Sequence, residues 1–142
     1  MPVGDKNTVI QGSGCHHIAV QARDWRASLK LYKDVLGMTE SASFRSSDGR
    51  QVVLLDMGDG SHIELFEPED DTPAENDVAI NDPVTHIALA TTDTRAATEH
   101  VRQAGYEITV EPKDVDLNGL EATIAFFKGP SGESIEFFQT NN

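Results

Sequence analysis

Residues 15–20 read CHHIAV and residues 84–89 read VTHIAL, and the two segments match around one histidine each, His17 and His86. A second pair of segments matches around a glutamate: residues 61–66 read SHIELF and residues 133–138 read ESIEFF, with Glu64 and Glu136 at equivalent places. The histidines are 69 residues apart (86 − 17) and the glutamates 72 apart (136 − 64). A duplicated core alone would repeat apolar residues. The repeated His and Glu therefore predict a pseudo-symmetric site with two imidazoles and two carboxylates, a ligand set for a divalent metal.

The segments between these motifs repeat as well. Alternating apolar residues predict strands, and apolar residues three and four apart predict one helix in each half, after Asp24 and after Asp93. In the first half the pattern predicts a strand at 17–21, a helix at 25–36 and strands at 39–45, 51–57 and 62–67. In the second half it predicts a strand at 86–91, a helix at 94–104 and strands at 106–111, 121–127 and 134–139.

Each half thus has the order strand, helix, three strands, and its single helix can cover only one face of a sheet. Two such units must pair to cover the other face. We therefore expect an α+β fold of two paired βαβββ modules that form a curved mixed sheet around the metal site. At 142 residues the chain is long enough for one such domain, with a first module at 14–68, an acidic linker at 69–83 and a second module at 84–139.

Strand alternation predicts where the repeated polar residues point. His17 shares a strand face with Ala19, and Glu64 shares one with Phe66, whereas their apolar neighbours face the helix. The same alternation places His86 with Ala88 and Glu136 with Phe138. All four candidate ligands should therefore lie on the concave face. Two imidazoles and two carboxylates leave room for water or substrate around Ni²⁺, Co²⁺ or Zn²⁺, and Mn²⁺ and Fe²⁺ are also compatible.

The composition excludes several classes of partner. The net charge of −13 disfavours nucleic acid and anionic membrane surfaces, which need clustered Lys and Arg. The single cysteine, Cys15, cannot form an intrachain disulfide and fits a reducing compartment. No apolar run is long enough for a membrane span, and the N-terminus has no secretory pattern. We expect a cytoplasmic protein that acts on a small molecule.

Four segments also resemble one known family. They are HHIAVQARDWRASLKLYKDVLGM at 16–38, HIELFEP at 62–68, VTHIALATTD at 84–93 and GPSGESIEFF at 129–138. In this order they resemble the vicinal oxygen chelate superfamily, and the His/Glu/His/Glu set is most similar to that of glyoxalase I. The resemblance implies metal ligands at His17, Glu64, His86 and Glu136. It also implies a lyase/isomerase that moves a proton through an enediolate on a substrate held by two adjacent oxygens.

In the family this proton transfer uses a metal-bound glutamate, which implies Glu136 as the base, with Glu64 as its symmetric counterpart. A homodimer is expected, and the sequence leaves open whether the four ligands come from one chain or from two. Gln21 stands where glyoxalase I commonly has an arginine for glutathione, so glutathione is not predicted as the carrier. Three alternatives share the fold: a methylmalonyl-CoA-type epimerase, an Fe(II) extradiol-type dioxygenase and an antibiotic-resistance binding protein.

Overall fold

A computed structural model of the chain describes Val9, residues 15–68 and residues 86–141. The chain divides into two compact units, Met1–Ala74 and Glu75–Asn142. The acidic linker predicted at 69–83 lies outside the described residues. In the described residues, no helix is long and apolar enough to cross a membrane.

The first unit contains one helical segment and one four-stranded sheet. Its elements are β1 (His17–Gln21), α1 (Trp25–Leu29) with a π-helical continuation (Lys30–Val35), β2 (Thr39–Arg45), β3 (Gln51–Asp56) and β4 (His62–Phe66). The strand order is β1-β4-β3-β2. Strand β1 runs parallel to β4, and the other neighbours are antiparallel. The helical segment is therefore the crossover that a parallel neighbour requires.

The second unit repeats this arrangement. Its elements are β5 (Ile87–Ala90), α2 (Thr94–Gln103), β6 (Ile108–Leu117), β7 (Leu120–Lys128) and β8 (Ser134–Thr140). The strand order, β5-β8-β7-β6, matches that of the first sheet position by position, with β5 parallel to β8. The prediction of an α+β fold with two βαβββ modules is confirmed.

The first helix differs from the regular helix predicted at 25–36. It begins as expected, because the Asp24 carboxylate accepts a hydrogen bond from the Ala27 amide at 3.0 Å. The backbone then widens into a π-helix, in which the Leu36 amide donates to the Leu31 carbonyl five residues earlier, at 2.8 Å. Leu31 and Tyr32 are consecutive and both are fully buried. Apolar spacing predicts a helix but cannot distinguish an i−4 from an i−5 hydrogen-bond pattern.

Strand β6 is longer than the strand predicted at 106–111. It continues to Leu117, which pairs with Leu120 across a two-residue turn. Both turn residues have positive φ, 55° at Asn118 and 98° at Gly119, as a tight hairpin turn of this kind requires. Asn-Gly was the available signal for this hairpin. The sequence-based boundary was wrong because strand alternation weakens along the charged segment 111–116.

In each unit most of the core lies on one face of its own sheet, although Val52 and Ala122 on the opposite faces are buried as well. In the first unit the alternate residues Val53, Leu55, Ile63 and Leu65 are buried. In the second unit Ala125, Phe127, Ile135 and Phe137 are buried, and α2 packs against β6, β7 and β8. The candidate ligands His17, Glu64 and Glu136 lie at the opposite parity on β1, β4 and β8, and His86 immediately precedes β5.

Candidate metal centre

The strand register places Glu64 and Glu136 at equivalent positions in the two sheets. Glu64 on β4 pairs with Ala19 on β1, which follows His17 by two residues. Glu136 on β8 pairs with Ala88 on β5, which follows His86 by two residues. Paired residues and residues two apart in a strand point to the same face. In the first unit His17 therefore lies on the same sheet face as Glu64. His86 immediately precedes β5, and its place beside Glu136 follows from the 3.0 Å between its Nε2 and Oε2 of Glu136. We call the face that carries each glutamate the ligand face of that unit.

In the first unit the two side chains approach each other without a direct hydrogen bond. Nε2 of His17 lies 3.8 Å from Oε1 of Glu64, and the two side chains are 40% and 18% exposed. The other ring nitrogen, Nδ1, lies 2.9 Å from Nδ1 of His16. In the tautomer with the proton on Nδ1 of His17, Nδ1 donates to His16. Nε2 then has its lone pair on the side of Glu64 and can coordinate a metal ion.

In the second unit the equivalent pair is closer. Nε2 of His86 lies 3.0 Å from Oε2 of Glu136, and the side chains are 39% and 8% exposed. The His86 ring also meets the Phe126 ring edge to face, with 5.3 Å between centroids. Phe126 on β7 pairs with Glu136 across the ladder. The carboxylate is therefore shielded by its apolar neighbour, whereas the imidazole stays accessible.

His16 does not lie where strand alternation predicts it. Extending the alternation of β1 back by one residue would point His16 away from the ligand face, yet its ring contacts His17 and stacks on His62, with 5.1 Å between centroids. The reason is that β1 begins only at His17, so alternation does not extend to His16. The His16 ring thus packs beside His17 and His62 without belonging to the His17/Glu64 pair.

His62 is an additional polar group on this face, without a counterpart in the second unit, where Ser134 has the equivalent position. It pairs with His17 across the ladder, and its Nε2 lies 3.1 Å from the Ser41 hydroxyl and 3.8 Å from Asp56 Oδ2. Its side chain is 11% exposed, and its Nδ1 has no hydrogen-bond partner. The two ligand faces therefore have the same His/Glu pair, but the residue next to the pair is His62 in the first unit and Ser134 in the second.

Arg50 is a residue of this face that sequence analysis missed. Its Nη1 donates a hydrogen bond to Oε1 of Gln21 at 2.6 Å, and its guanidinium carbon lies 5.5 Å from the centre of the Phe66 ring. Arg50 follows the Ser46–Gly49 turn and belongs to no periodic segment. Its parity with Val52 in β3 was the available signal, because Val52 pairs with Phe66.

Each unit places one imidazole nitrogen close to one carboxylate oxygen. Imidazole and carboxylate are suitable donors for Zn²⁺, Ni²⁺ and related ions. Within residues 15–68 and 86–141, no group of three or more His, Cys, Asp or Glu side chains could by itself hold a metal ion. The donor chemistry of each pair fits a metal, and two pairs would be needed to complete the set.

The chain is similar in sequence and in fold to several known proteins. A protein of Bacillus subtilis (strain 168) named YwbC is 33% identical over 132 residues, covering 87% of this chain and 94% of its own. The lactoylglutathione lyase of Haemophilus influenzae (strain ATCC 51907 / DSM 11121 / KW20 / Rd) is 30% identical over 130 residues, covering 89% and 92%. The crystal structure of TnmS3, an antibiotic binding protein from Streptomyces sp. CB03234, superposes with a TM-score of 0.70 at 18% identity, covering 95% and 100%. The model of one family matches residues 14–137. The chain therefore belongs to the Glyoxalase/Bleomycin resistance protein/Dioxygenase superfamily.

Proposed function

We propose that this protein is a divalent-metal-dependent lyase/isomerase of glyoxalase I type. It would act on a small substrate that offers two adjacent oxygens, such as the hemithioacetal of a 2-oxoaldehyde. The observation that carries this proposal is the His/Glu pair in each unit. His17 Nε2 lies 3.8 Å from Glu64 Oε1 and His86 Nε2 lies 3.0 Å from Glu136 Oε2, with the two glutamates at equivalent ladder positions. The similarity to the lactoylglutathione lyase of Haemophilus influenzae supports the choice of reaction.

His17, Glu64, His86 and Glu136 would hold one metal ion, Ni²⁺, Co²⁺ or Zn²⁺ in preference to Mn²⁺ or Fe²⁺. A bound divalent ion supplies Lewis-acid polarisation of the substrate oxygens. The four ligands would come from one chain or from two chains of a homodimer. His16 would fix the His17 ring from outside, through the contact between their Nδ1 atoms.

The remaining chemistry is a proton transfer between neighbouring carbons. Glu136 would take the proton from the carbon next to the carbonyl and return it to the adjacent carbon. Its side chain is the more buried of the two glutamates, so less water competes for the proton. Ala19 and Ala88, the ladder partners of the glutamates, leave space for the substrate beside each carboxylate.

The test begins with metal binding. Purified wild type should take up a divalent ion. Its binding should be weakened at least about 100-fold in each of four variants, His17→Ala, Glu64→Gln, His86→Ala and Glu136→Gln. Loss of a residue that only orients a metal ligand weakens binding up to about 100-fold, so loss of the ligand itself should weaken it at least as much. The matched control is His100→Ala, because His100 is exposed on α2. Equal metal content in the wild type and in the four variants would refute the ligand assignment.

The reaction is tested with methylglyoxal hemithioacetals of several thiols. Isomerisation that depends on the metal and on Glu136 would support the proposal. Oxygen consumption would instead indicate the dioxygenase alternative, and solvent-proton exchange without isomerisation would indicate the epimerase. Ligand binding that is independent of metal, with no turnover, would indicate a binding protein.

A further inference from the structure

Three imidazole rings lie together beside the His17/Glu64 pair of the first unit. His62 pairs with His17 across the β1–β4 ladder, so these two side chains are neighbours on one face. The His16 ring stacks on the His62 ring, with 5.1 Å between centroids and 25° between planes. It also meets the His17 ring edge to face, with 5.2 Å between centroids. Both distances lie in the range that aromatic pairs favour, so His16 packs against both rings.

His62 is the most firmly held of the three rings. Its side chain is 11% exposed, whereas that of His17 is 40% exposed and His16 is exposed as well. Nε2 of His62 lies 3.1 Å from the Ser41 hydroxyl and 3.8 Å from Oδ2 of Asp56. Burial and these two polar contacts restrain the position of the ring and its rotation. His62 therefore offers a fixed surface to the exposed His16 ring.

Ser41 reaches His62 from an irregular point of β2. The register of the β2–β3 ladder shifts between Glu40 and Ala42, so Ser41 is the extra residue of a β-bulge. Bulges bend a strand locally and re-aim a side chain. Asp56, the other polar neighbour of His62, pairs with it across the β3–β4 ladder. The ring of His62 is thus held by residues of two neighbouring strands.

The contact between His16 and His17 decides which nitrogen of His17 is free. Their Nδ1 atoms are 2.9 Å apart, and a neutral imidazole has one N–H, so one ring donates and the other accepts. If His17 donates from Nδ1, its Nε2 has a lone pair on the side of Glu64. If His17 accepts, its Nε2 carries the proton and cannot coordinate a metal ion. A partner that fixes the tautomer of a ligand histidine typically contributes about 10–100-fold to metal affinity.

The second unit shows that the fold itself does not require a ring at this position. Ser134 precedes Glu136 by two residues, as His62 precedes Glu64. The two sheets have the same strand order, although one has a hydroxyl and the other an imidazole at this place. The imidazole of the first unit therefore has a local cause, and the rings that it contacts lie beside the His17/Glu64 pair.

We propose that His62 is a positioning residue of the metal centre, which supports the His16 ring and thereby keeps the proton of His17 on Nδ1. Nε2 of His17 is then directed toward Glu64 with its lone pair free. This inference rests on the proposed function, which assigns His17 and Glu64 to a metal ion. His62 acts through the face of its ring, and Ser41 acts by holding that ring in place.

The first arm of the test measures the dissociation constant of Ni²⁺ on purified protein. His62→Ala removes the support and should weaken Ni²⁺ binding about 10-fold, the lower end of the loss for a partner of a ligand histidine. His62→Phe keeps a flat ring of similar size and removes Nδ1, which is buried without a hydrogen-bond partner among the described residues. This variant should therefore keep most of the wild-type affinity.

The hydroxyl that holds His62 is tested with a milder change on β2. Ser41→Ala leaves the ring in place without its tether and should weaken Ni²⁺ binding by a smaller factor than His62→Ala. Ser41→Thr restores the hydroxyl and should recover the affinity. The matched control is Ser43→Ala, because Ser43 is exposed on the same strand and pairs with Val53, whose side chain lies on the core face. This control should bind Ni²⁺ as wild type does.

The second arm reads the tautomer of His17 directly, in metal-free protein. Long-range ¹H–¹⁵N correlation spectra of the histidine rings, recorded in alkaline buffer, should show the proton on Nδ1 of His17 in wild type and in His62→Phe. In His62→Ala the proton should move to Nε2, the position favoured in free histidine. A role of His62 in packing alone would change the stability of the fold without moving this proton.

Failure of this inference differs from failure of the metal centre. Equal Ni²⁺ affinity in wild type and His62→Ala, or equal losses in His62→Ala and His62→Phe, would overturn the role of His62. If wild type binds no Ni²⁺, the proposed metal centre fails and the tautomer alone decides. A proton on Nδ1 of His17 that is lost in His62→Ala and kept in His62→Phe supports the inference, and a proton on Nε2 in wild type refutes it. If His62→Ala does not fold, Ser41→Ala takes its place in both arms.

Discussion

Glu136 Oε2 lies 3.0 Å from His86 Nε2, whereas Glu64 Oε1 lies 3.8 Å from His17 Nε2, although the two glutamates have the same position in their sheets. Phe126 beside His86 and the more complete burial of Glu136 accompany the shorter distance. The two units therefore hold chemically equivalent His/Glu pairs in unequal surroundings. This inequality is a reason to expect different roles for the two carboxylates.

The first prediction concerns these two roles. Glu136→Gln should lower kcat for the hemithioacetal about 10²–10⁴-fold, the usual contribution of a positioned acid–base group. Glu64→Gln should lower kcat less than Glu136→Gln when both are measured at saturating metal. Steady-state kinetics with metal content determined on the same samples separates lost chemistry from lost metal. A larger kcat effect at Glu64 would reverse the assignment of the base.

The second prediction concerns space beside the carboxylate. Ala88 is exposed and pairs with Glu136, so Ala88→Leu should place a bulky side chain where the substrate binds. Affinity of the metal-loaded protein for a simple hydroxamate, which presents two adjacent oxygens to a metal, should fall at least about 10-fold, the equivalent of about 1.4 kcal/mol. The free energy of unfolding should stay within about 0.5 kcal/mol of wild type, as is usual for exposed positions. Ala96→Leu, at an exposed site on α2, should change neither quantity.

The third prediction concerns the turn that leads into β8. A Cβ on Gly129 would overlap the side chain of Glu133, whose buried carboxylate accepts a hydrogen bond from the Ser131 amide at 2.8 Å. Gly129→Ala should therefore lower the free energy of unfolding by about 1–3 kcal/mol, because the carboxylate must move and that bond is lost. Urea denaturation measures the change.

The origin of this cost can be checked with a double mutant. If the overlap with Glu133 is the cause, the costs of Gly129→Ala and Glu133→Ala should not add, since the second substitution removes the obstructing side chain. Additive costs would mean that Gly129 is required for another reason.

The fourth prediction concerns pH. The Thr123 hydroxyl donates to Asp114 at 2.6 Å, and this hydrogen bond is the main reason that the pKa of Asp114 is lowered, with Arg95 contributing. A lowered pKa in the folded state means that Asp114 stabilises the fold above the unfolded pKa of about 3.9 and loses that contribution as the pH falls through the folded value. Thr123→Val should raise the pKa of Asp114 toward about 3.9.

Carboxyl ¹³C NMR titration measures this shift. Glu111 is the internal reference, because its lowered pKa depends on Arg102 and not on Thr123. Thr123→Ser retains the hydroxyl and should leave the pKa of Asp114 low. An unchanged pKa in Thr123→Val would show that the hydroxyl is not the cause.

Local patterns predicted most of the fold for a definite physical reason. Side chains alternate with a period of two in every strand, so the apolar residues beside His17, Glu64, His86 and Glu136 indicated which face of each strand is buried. The same alternation failed at His16, which precedes the strand. It also predicted that β6 ends too early, because the end of this strand depends on the Asn118-Gly119 turn.

The sequence by itself determined the duplication, the strand and helix order of each unit, and the strand faces that carry the repeated His and Glu. These features depend on interactions between residues that are close along the chain. Only the tertiary structure decided which strands are neighbours, and hence that His62 pairs with His17 and that Arg50 meets Gln21, 29 residues away. Strand β1 pairs in parallel with β4, which begins 45 residues later at His62, so no hairpin turn sets this register and no local pattern names the partner.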